Sequence, residues 1–166
     1  EDFFSERVHN IRRPRPDDFQ IKEAAEKIKK SKNPIIISGG GVFYSNAIDE
    51  LGSFASKHNI PVTQTVMGYS TMKRDHTHFL GPIGGLGGKA ANNLAKKTDL
   101  AIAIGTKLGD FTTGSWANFE NPNFSLVSIN VTRFDANKHM AQSVIGDAKV
   151  SLTELSQALG SWKAPD

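Results

Sequence analysis

The segment 105–116 carries the densest group of side chains that could recognise a ligand. It follows a short apolar run and, beyond Thr106, holds four hydroxyl or carboxylate groups suited to hydrogen bonding: Asp110, Thr112, Thr113 and Ser115. Such a mixture, together with aromatic neighbours, fits a polyhydroxylated or nucleotide ligand, and we expect these four residues to face a substrate. The same composition is also typical of a loop at a protein interface.

A group of glycines offers a second kind of site, one for phosphate. Gly39, Gly40 and Gly41 follow the apolar run 35–38 and precede a predicted helix, where backbone amides can approach an anion. The spacing does not match the Gly-x-Gly-x-x-Gly pattern, and no P-loop lysine follows. A tight strand-to-helix turn without a ligand is therefore the alternative. The glycine-rich stretch 84–88 has two interpretations, a close approach to a ligand or subunit and a flexible surface loop.

The sequence assembles no complete catalytic or metal site. It contains no cysteine, which excludes disulfides, thiolate metal sites and cysteine nucleophiles. His76 and His78 lie two residues apart beside Asp75, but no third ligand follows at a useful spacing. His139 lies in a polar stretch for which we expect a structural or interface role. We therefore predict no catalytic residue and no metal ligand in this chain.

Composition limits the partners of the chain. With 166 residues and a formal net charge of +3, it fits one domain of ordinary size. The basic residues are spread along the sequence apart from the small cluster 12–15, so we expect no nucleic-acid partner. No apolar run approaches the ~20 residues of a membrane helix, so we expect no membrane partner. The absence of cysteine is typical of a cytoplasmic protein.

The apolar pattern alternates between short buried strands and amphipathic helices. Strands are predicted at 35–38, 61–66, 79–83, 99–104 and 124–130, with a sixth at 144–145. Helices are predicted from Asp17, over 45–57, over 89–97 with Ala90, Ala91, Leu94 and Ala95 facing inward, and around 152–159. The strands are apolar without alternation, as in a parallel sheet covered on both faces. The order predicts an α/β fold, a doubly wound Rossmann-like three-layer sandwich with a mainly parallel sheet of about six strands.

Four of these stretches, in order, resemble the central domain of thiamine-diphosphate enzymes such as acetolactate synthases and pyruvate decarboxylases. They are 33–42, 60–65, 99–105 and 129–131, and the similarity runs over most of the chain. Three further stretches, 3–14, 108–115 and 130–139, resemble the trihydroxycyclohexanedione hydrolases, ring-opening enzymes of bacterial inositol breakdown. The resemblance divides the chain into an interdomain linker (1–16), the central domain (17–160) and a tail (161–166).

The resemblance implies a longer protein that uses thiamine diphosphate and magnesium. A pyrimidine-binding domain and a diphosphate-binding domain would flank this one in the same polypeptide, and the full-length protein would form a homodimer or homotetramer. The family holds magnesium with Gly-Asp-Gly and a later Asn-Asn. Here Gly146-Asp147 is followed by alanine, and Asn92-Asn93 has no Gly-Asp-Gly before it. The cofactor sites are therefore expected outside this chain, and the isolated domain is expected to be inactive.

In acetolactate synthases the central domain also binds FAD. The stretch 109–111 reads Gly-Asp-Phe where those enzymes have Asp-Asp-Arg, and Asn130 stands where relatives often carry aspartate. These departures weigh against FAD or NAD binding. The resemblance thus implies the remnant of a nucleotide pocket, formed by Gly39, Gly40, Gly41, Gly105, Thr106 and Asn130.

Several activities are compatible with these observations. The favoured one is cleavage of a carbon–carbon bond in trihydroxycyclohexane-1,2-dione by the full-length enzyme. Malonic semialdehyde oxidative decarboxylases and acetolactate-synthase-like decarboxylases or carboligases are alternatives within the resemblance. A stand-alone nucleotide-binding module is the alternative outside it, like those of electron-transfer flavoproteins or NAD-dependent deacylases. A deacylase usually needs a cysteine-held zinc, which this sequence lacks.

Overall fold

The computed structural model describes residues 2–165, with only the backbone of Asp2. Six strands form one sheet: β1 (Pro34–Ser38), β2 (Val62–Gln64), β3 (Phe79–Pro82), β4 (Leu100–Ile104), β5 (Ser125–Asn130) and β6 (Gln142–Ile145). Their order is β3-β2-β1-β4-β5-β6, and every neighbouring pair is parallel. This is the strand order of a doubly wound sheet, and it confirms the predicted fold class.

Helices cover both faces of the sheet. They are α1 (Asp18–Lys30), α2 (Gly40–Tyr44), α3 (Ile48–His58), α4 (Lys89–Lys97), α5 (Asp110–Thr113), α6 (Arg133–Ala136) and α7 (Ala148–Leu159). Two of them begin at an aspartate that accepts hydrogen bonds from the first turn. The Asp17 side chain accepts from the amide of Phe19, and the Asp147 side chain accepts from the amides of Lys149 and Val150. Such caps satisfy donors that have no partner within the helix.

The core has two layers separated by the sheet. Apolar residues of α1, α3 and α7 pack on one face, and α4 with the loop after β4 packs on the other. The alternation of β1 shows this directly, because Ile36 points into the first layer while Ile35 and Ile37 point into the second. All five residues of β1 and of β4 are buried. Each fully buried isoleucine stabilises the fold by about 1.5–3 kcal/mol.

The predicted helix 45–57 is wrong at its start. The helix α3 begins only at Ile48, because Asn46 adopts a left-handed conformation with φ of 53° and separates α3 from the short helix α2. The short helix α2 includes Gly40 and Gly41, for which the sequence left open a phosphate site or a tight strand-to-helix turn. Ala90 is exposed, against the prediction, since the buried face of α4 is set by Ala91 and Ala95, four residues apart.

The N-terminal segment, residues 3–15, contacts the rest of the domain through residues that include Arg13 and Pro14. The Arg13 guanidinium donates to the carbonyl of Ser45 and to the Asp147 carboxylate, the latter at 3.1 Å. The Pro14 carbonyl accepts from the Asp147 amide at 2.8 Å. Residues 3–15 are nevertheless exposed, and burial begins at Pro16. The outer ends of the predicted linker and tail, residues 1 and 166, lie outside the described residues.

The C-terminal segment attaches at the opposite end of the sheet, next to the start of β2. The His58 ring is buried and pairs through Nδ1 with the Trp162 carbonyl at 2.7 Å and through Nε2 with the Ser156 hydroxyl at 3.0 Å. The Ala164 amide donates to the His58 carbonyl at 2.8 Å. Within residues 2–165, no helix combines the length and the apolar character that crossing a membrane requires.

Burial lowers the pKa of His58 below its ordinary value of 6.5. The folded state therefore favours neutral His58, and the unfolded chain takes up the proton first as the pH falls. We expect the free energy of unfolding to be highest above pH 6.5 and to decrease as the pH drops below it. Urea unfolding at pH 7.5 and pH 5.5 measures this difference.

The difference should shrink in His58→Gln and persist in His9→Gln, a control in the exposed N-terminal segment. Some dependence on pH should remain in His58→Gln, because burial also lowers the pKa of His78. The same pH dependence in wild type and His58→Gln would contradict the role given to His58.

Candidate functional site

The centre of the sheet is the point where the chain changes direction. From β1 and β4 the chain winds outward to opposite sides, so the carboxyl ends of these two strands form a switch point, where ligands bind in open α/β sheets. Gly39, Gly40 and Gly41 follow β1, and Gly105 follows β4. The structure thus brings Gly105 next to Gly39, Gly40 and Gly41, the glycines that the sequence analysis assigned to one nucleotide pocket.

The glycines hold these two turns against each other. A Cβ on Gly41 would lie 2.5 Å from the Gly105 Cα, and a Cβ on Gly39 would lie 2.4 Å from the Gly105 carbonyl oxygen. Real side chains do not tolerate such distances, so glycine is required for the approach. Gly105 also has φ of +61°, a left-handed conformation that favours glycine.

Three backbone amides of these two turns already donate hydrogen bonds to backbone carbonyl groups of the protein. The Gly39 amide donates to the Ile104 carbonyl at 2.8 Å, and the Gly41 amide donates to the Gly105 carbonyl at 3.0 Å. The Gly105 amide donates to the Ile129 carbonyl at 2.8 Å. These three donors are therefore not free to hold a phosphate, in contrast to the amides of a phosphate-binding loop.

A cleft of about 430 Å³ opens beside the turns. Gly41, Gly105 and Asn130 line it, together with Tyr44 and part of the N-terminal segment. The Asn130 amide group donates to the Thr106 carbonyl at 3.2 Å, and its oxygen accepts from the Thr132 amide at 3.0 Å. Asn130 therefore joins the ends of β4 and β5.

The four hydroxyl and carboxylate residues of the loop after β4 differ in exposure. Asp110 and Ser115 are exposed and Thr112 is half-buried, so these three side chains reach the surface of the domain. Thr113 is buried, and its hydroxyl donates to the Gly109 carbonyl at 3.4 Å and accepts from the Trp116 amide at 3.2 Å. Thr113 thus stabilises the turn from within.

The glycine-rich stretch 84–88 packs against this loop. The Gly85 amide donates to the Phe111 carbonyl at 2.7 Å. Asn92 holds the turn from the other side: its Oδ1 accepts from the Gly84 amide at 2.9 Å, and its Nδ2 donates to the Gly84 carbonyl at 3.0 Å. Sequence reasoning missed this role of Asn92, for which the sequence gives no signal apart from the neighbouring glycines.

The polar stretch around the paired histidines forms local contacts. His76 pairs with the Ser56 hydroxyl at 3.2 Å, and His78 pairs with the Asn59 side chain at 3.2 Å. Across residues 2–165, no three histidine, aspartate or glutamate side chains group as they would around a metal ion. The ring of His139 lies on Trp116 with centroids 4.4 Å apart, which places His139 in an aromatic contact between two loops.

The residues of this chain do not fit a thiamine diphosphate–magnesium site. Asp147 is the aspartate of the partial Gly-Asp motif, and both of its carboxylate oxygens have protein partners. One oxygen accepts from the amides of Lys149 and Val150, and the other pairs with Arg13. A carboxylate engaged in this way caps α7 and anchors the N-terminal segment, so no catalytic step through that cofactor is derived from this chain.

The fold and the glycine-lined switch point define a doubly wound α/β domain with an all-parallel sheet. The family model described as "Thiamine pyrophosphate enzyme, central domain" matches residues 21–155, most of the chain. The chain therefore belongs to the central domains of thiamine pyrophosphate enzymes.

Two relatives and one solved structure resemble the chain. The chain is 46% identical over 157 residues to the 3D-(3,5/4)-trihydroxycyclohexane-1,2-dione hydrolase of Clostridium perfringens and 45% identical to hydrolase 1 of that name from Bacillus cereus. It covers 25% and 24% of those proteins, so it spans about a quarter of their length. Benzoylformate decarboxylase from Polynucleobacter necessarius shares the fold, with a TM-score of 0.71 and 21% identity over 99% of this chain and 32% of that one.

We expect Gly41→Ala to destabilise the domain by about 1–3 kcal/mol, because the new methyl group collides with the backbone of Gly105. Gly52→Ala is a matched control. Both glycines lie in helices, but a Cβ at Gly52 meets only the His76 ring at an ordinary 3.6 Å. Gly52→Ala should be neutral or stabilising by up to about 1 kcal/mol. Urea unfolding of both variants measures this, and equal effects would contradict the constraint at Gly41.

We expect Asn92→Ala to destabilise the domain by about 1–3 kcal/mol, because it leaves the amide of buried Gly84 without a partner. Hydrogen exchange at Gly84 and Gly85 should become faster. Asn93→Ala removes the same group from an exposed neighbour and should change stability by less than about 0.5 kcal/mol. If the two variants were equally stable, Asn92 would not hold the turn.

Proposed function

We propose that this chain is the central domain of a thiamine-diphosphate- and magnesium-dependent hydrolase that cleaves a carbon–carbon bond of trihydroxycyclohexane-1,2-dione in inositol breakdown. The observation that supports this most directly is the 46% identity over 157 residues to the hydrolase of that name. The cofactors belong, in this proposal, to the flanking pyrimidine- and diphosphate-binding domains. The full-length enzyme is proposed to be a homodimer or homotetramer.

The role of this domain is to support the active site. Asp110, Thr112 and Ser115 reach the surface at the carboxyl end of the sheet, on a loop that Gly84 and Asn92 hold in place. A ring with three hydroxyl groups and two carbonyl groups needs donors and acceptors at fixed positions, and this loop offers both. We propose that these three side chains form one wall of the substrate channel, with Thr113 supporting the turn behind them.

The cleft beside Gly41, Gly105 and Asn130 is proposed to be the remnant of a nucleotide pocket. Its place at the switch point supports this origin. The amides of Gly39, Gly41 and Gly105 are already hydrogen-bonded, and Asn130 is paired with Thr106 and Thr132. The proposal therefore includes neither bound FAD nor bound NAD.

The experiment compares the 166-residue chain with the full-length polypeptide that contains it. The full-length polypeptide with thiamine diphosphate and magnesium should consume trihydroxycyclohexane-1,2-dione. The 166-residue chain should show no turnover, and calorimetric titration should detect no binding of thiamine diphosphate. Micromolar binding by the 166-residue chain would contradict the proposal, as would decarboxylation of malonic semialdehyde in place of dione cleavage.

The proposed channel wall is tested in the same full-length enzyme. Asp110→Asn and Thr112→Val should each raise KM for the dione about two- to tenfold, the effect of losing one hydrogen bond to substrate. Thr153→Val is the matched control, because this exposed threonine of α7 lies outside the loop and its hydroxyl pairs with the Lys149 carbonyl. Unchanged KM values in both loop variants would exclude contact between the loop and the substrate.

A further inference from the structure

Exposed apolar side chains concentrate at one edge of the sheet. We define the carboxyl-edge surface by six residues in the segments, short helices included, that follow β1, β2, β3 and β4: Phe43, Tyr44, Met67, Tyr69, Leu86 and Phe111. Among residues 3–165, the other exposed large apolar side chains outside the N-terminal segment are those of Phe19 in α1, Val66 after β2, and Val131, Phe134 and Met140 between β5 and β6. Apolar patches of this kind mark sites where another protein surface binds.

The loops that form this surface are fixed to one another. The Thr71 hydroxyl donates to the Gly68 carbonyl at 2.6 Å and lies 2.7 Å from the Ser38 hydroxyl, so the turn carrying Met67 and Tyr69 is tied to the end of β1. On the other side, the amide of Gly85 joins the stretch around Leu86 to α5. The apolar side chains are therefore presented on a well-ordered scaffold, which reduces the entropy that binding must overcome.

The path of the chain indicates what covers this surface. Arg13 binds the carbonyl of Ser45, the residue that ends α2, and so leads the N-terminal segment past Tyr44. That segment is itself apolar and exposed at Phe3, Phe4 and Val8. Polypeptide that adjoins this segment is thus brought to the carboxyl edge, whereas the C-terminal segment is held at the opposite edge by His58. The curated relatives are about four times as long as this chain.

We propose that the carboxyl-edge surface is the docking face for the adjoining part of the same, longer polypeptide, which packs apolar side chains onto it. This inference rests on the proposed function only in assuming a longer polypeptide. It assigns one face of the domain to contact with its neighbour and leaves the helices α1 and α7 to solvent or to other contacts.

The three methionines of the sequence provide the test. Met67 lies on the carboxyl-edge surface and is 74% exposed, Met140 lies before β6 and is 97% exposed, and Met72 is buried at 4%. Hydrogen peroxide oxidises exposed methionine to the sulfoxide, and mass spectrometry follows each residue separately. In the 166-residue chain, Met67 and Met140 should be oxidised rapidly and Met72 slowly.

In the full-length polypeptide, oxidation of Met67 should slow about tenfold, while Met140 should stay within about twofold of its rate in the 166-residue chain. Equal rates for Met67 in both proteins would overturn the proposal, as would equal protection of Met67 and Met140. Slowing of Met67 as the concentration of the 166-residue chain rises would show that a second copy occupies the surface and would also overturn it.

The outcome is independent of the reaction. Turnover of the dione is measured on the same full-length preparation. Protected Met67 without turnover would support the docking face and exclude the proposed hydrolase activity. Turnover with unprotected Met67 would support the hydrolase activity and exclude the docking face.

Discussion

The contact between two backbone turns, at Gly41 and Gly105, is the constraint on which the rest of the domain depends. β1 and β4 pair along their full length, from Pro34 opposite Leu100 to Ser38 opposite Ile104. Past the last pair, both chains must turn without separating, and the absence of side chains at the two glycines permits this. The Gly41–Gly105 hydrogen bond then fixes where α2 starts and where the loop after β4 leaves the sheet. The cleft and the carboxyl-edge surface both take their positions from this contact.

Much of the architecture could be predicted because its signals are local. The unbroken apolar runs of β1 and β4 identify strands buried on both faces, and Asp17 followed by a periodic apolar face identifies α1. The failures have a common cause in tertiary context. The helix α2 contains two glycines, which disfavour a helix in isolation, and it forms because it packs against the turn after β4. The left-handed conformation of Asn46 likewise leaves no clear mark in the sequence.

The location of the candidate site could be predicted from the sequence, but the hydrogen-bond partners and the burial of its groups could not. The sequence left open whether Gly39, Gly40 and Gly41 face a phosphate or form a tight turn. The amides of Gly39 and Gly41 are paired with the carbonyl groups of Ile104 and Gly105, a fact that only the three-dimensional arrangement supplies. Thr113 looks like its neighbours in sequence and differs from them through burial alone. Asn92 acts across a turn at Gly84, and nothing in its own neighbourhood distinguishes it from Asn93. The order of several weak stretches, by contrast, was enough to indicate the family that the comparison found.

The anchoring of the two terminal segments at opposite edges of the sheet has a mechanical consequence. Arg13 fixes one segment near the carboxyl ends of the strands, and His58 fixes the other near their amino ends. A tensile force applied to the two terminal segments would therefore act along the strand axes. It would load the interstrand hydrogen bonds in shear, all at once, instead of opening them one after another. Helix α7, whose 12 residues rise roughly 18 Å, runs beside the sheet from the Asp147 anchor towards the Trp162 anchor. The sheet would thus act as a stiff spacer of fixed length.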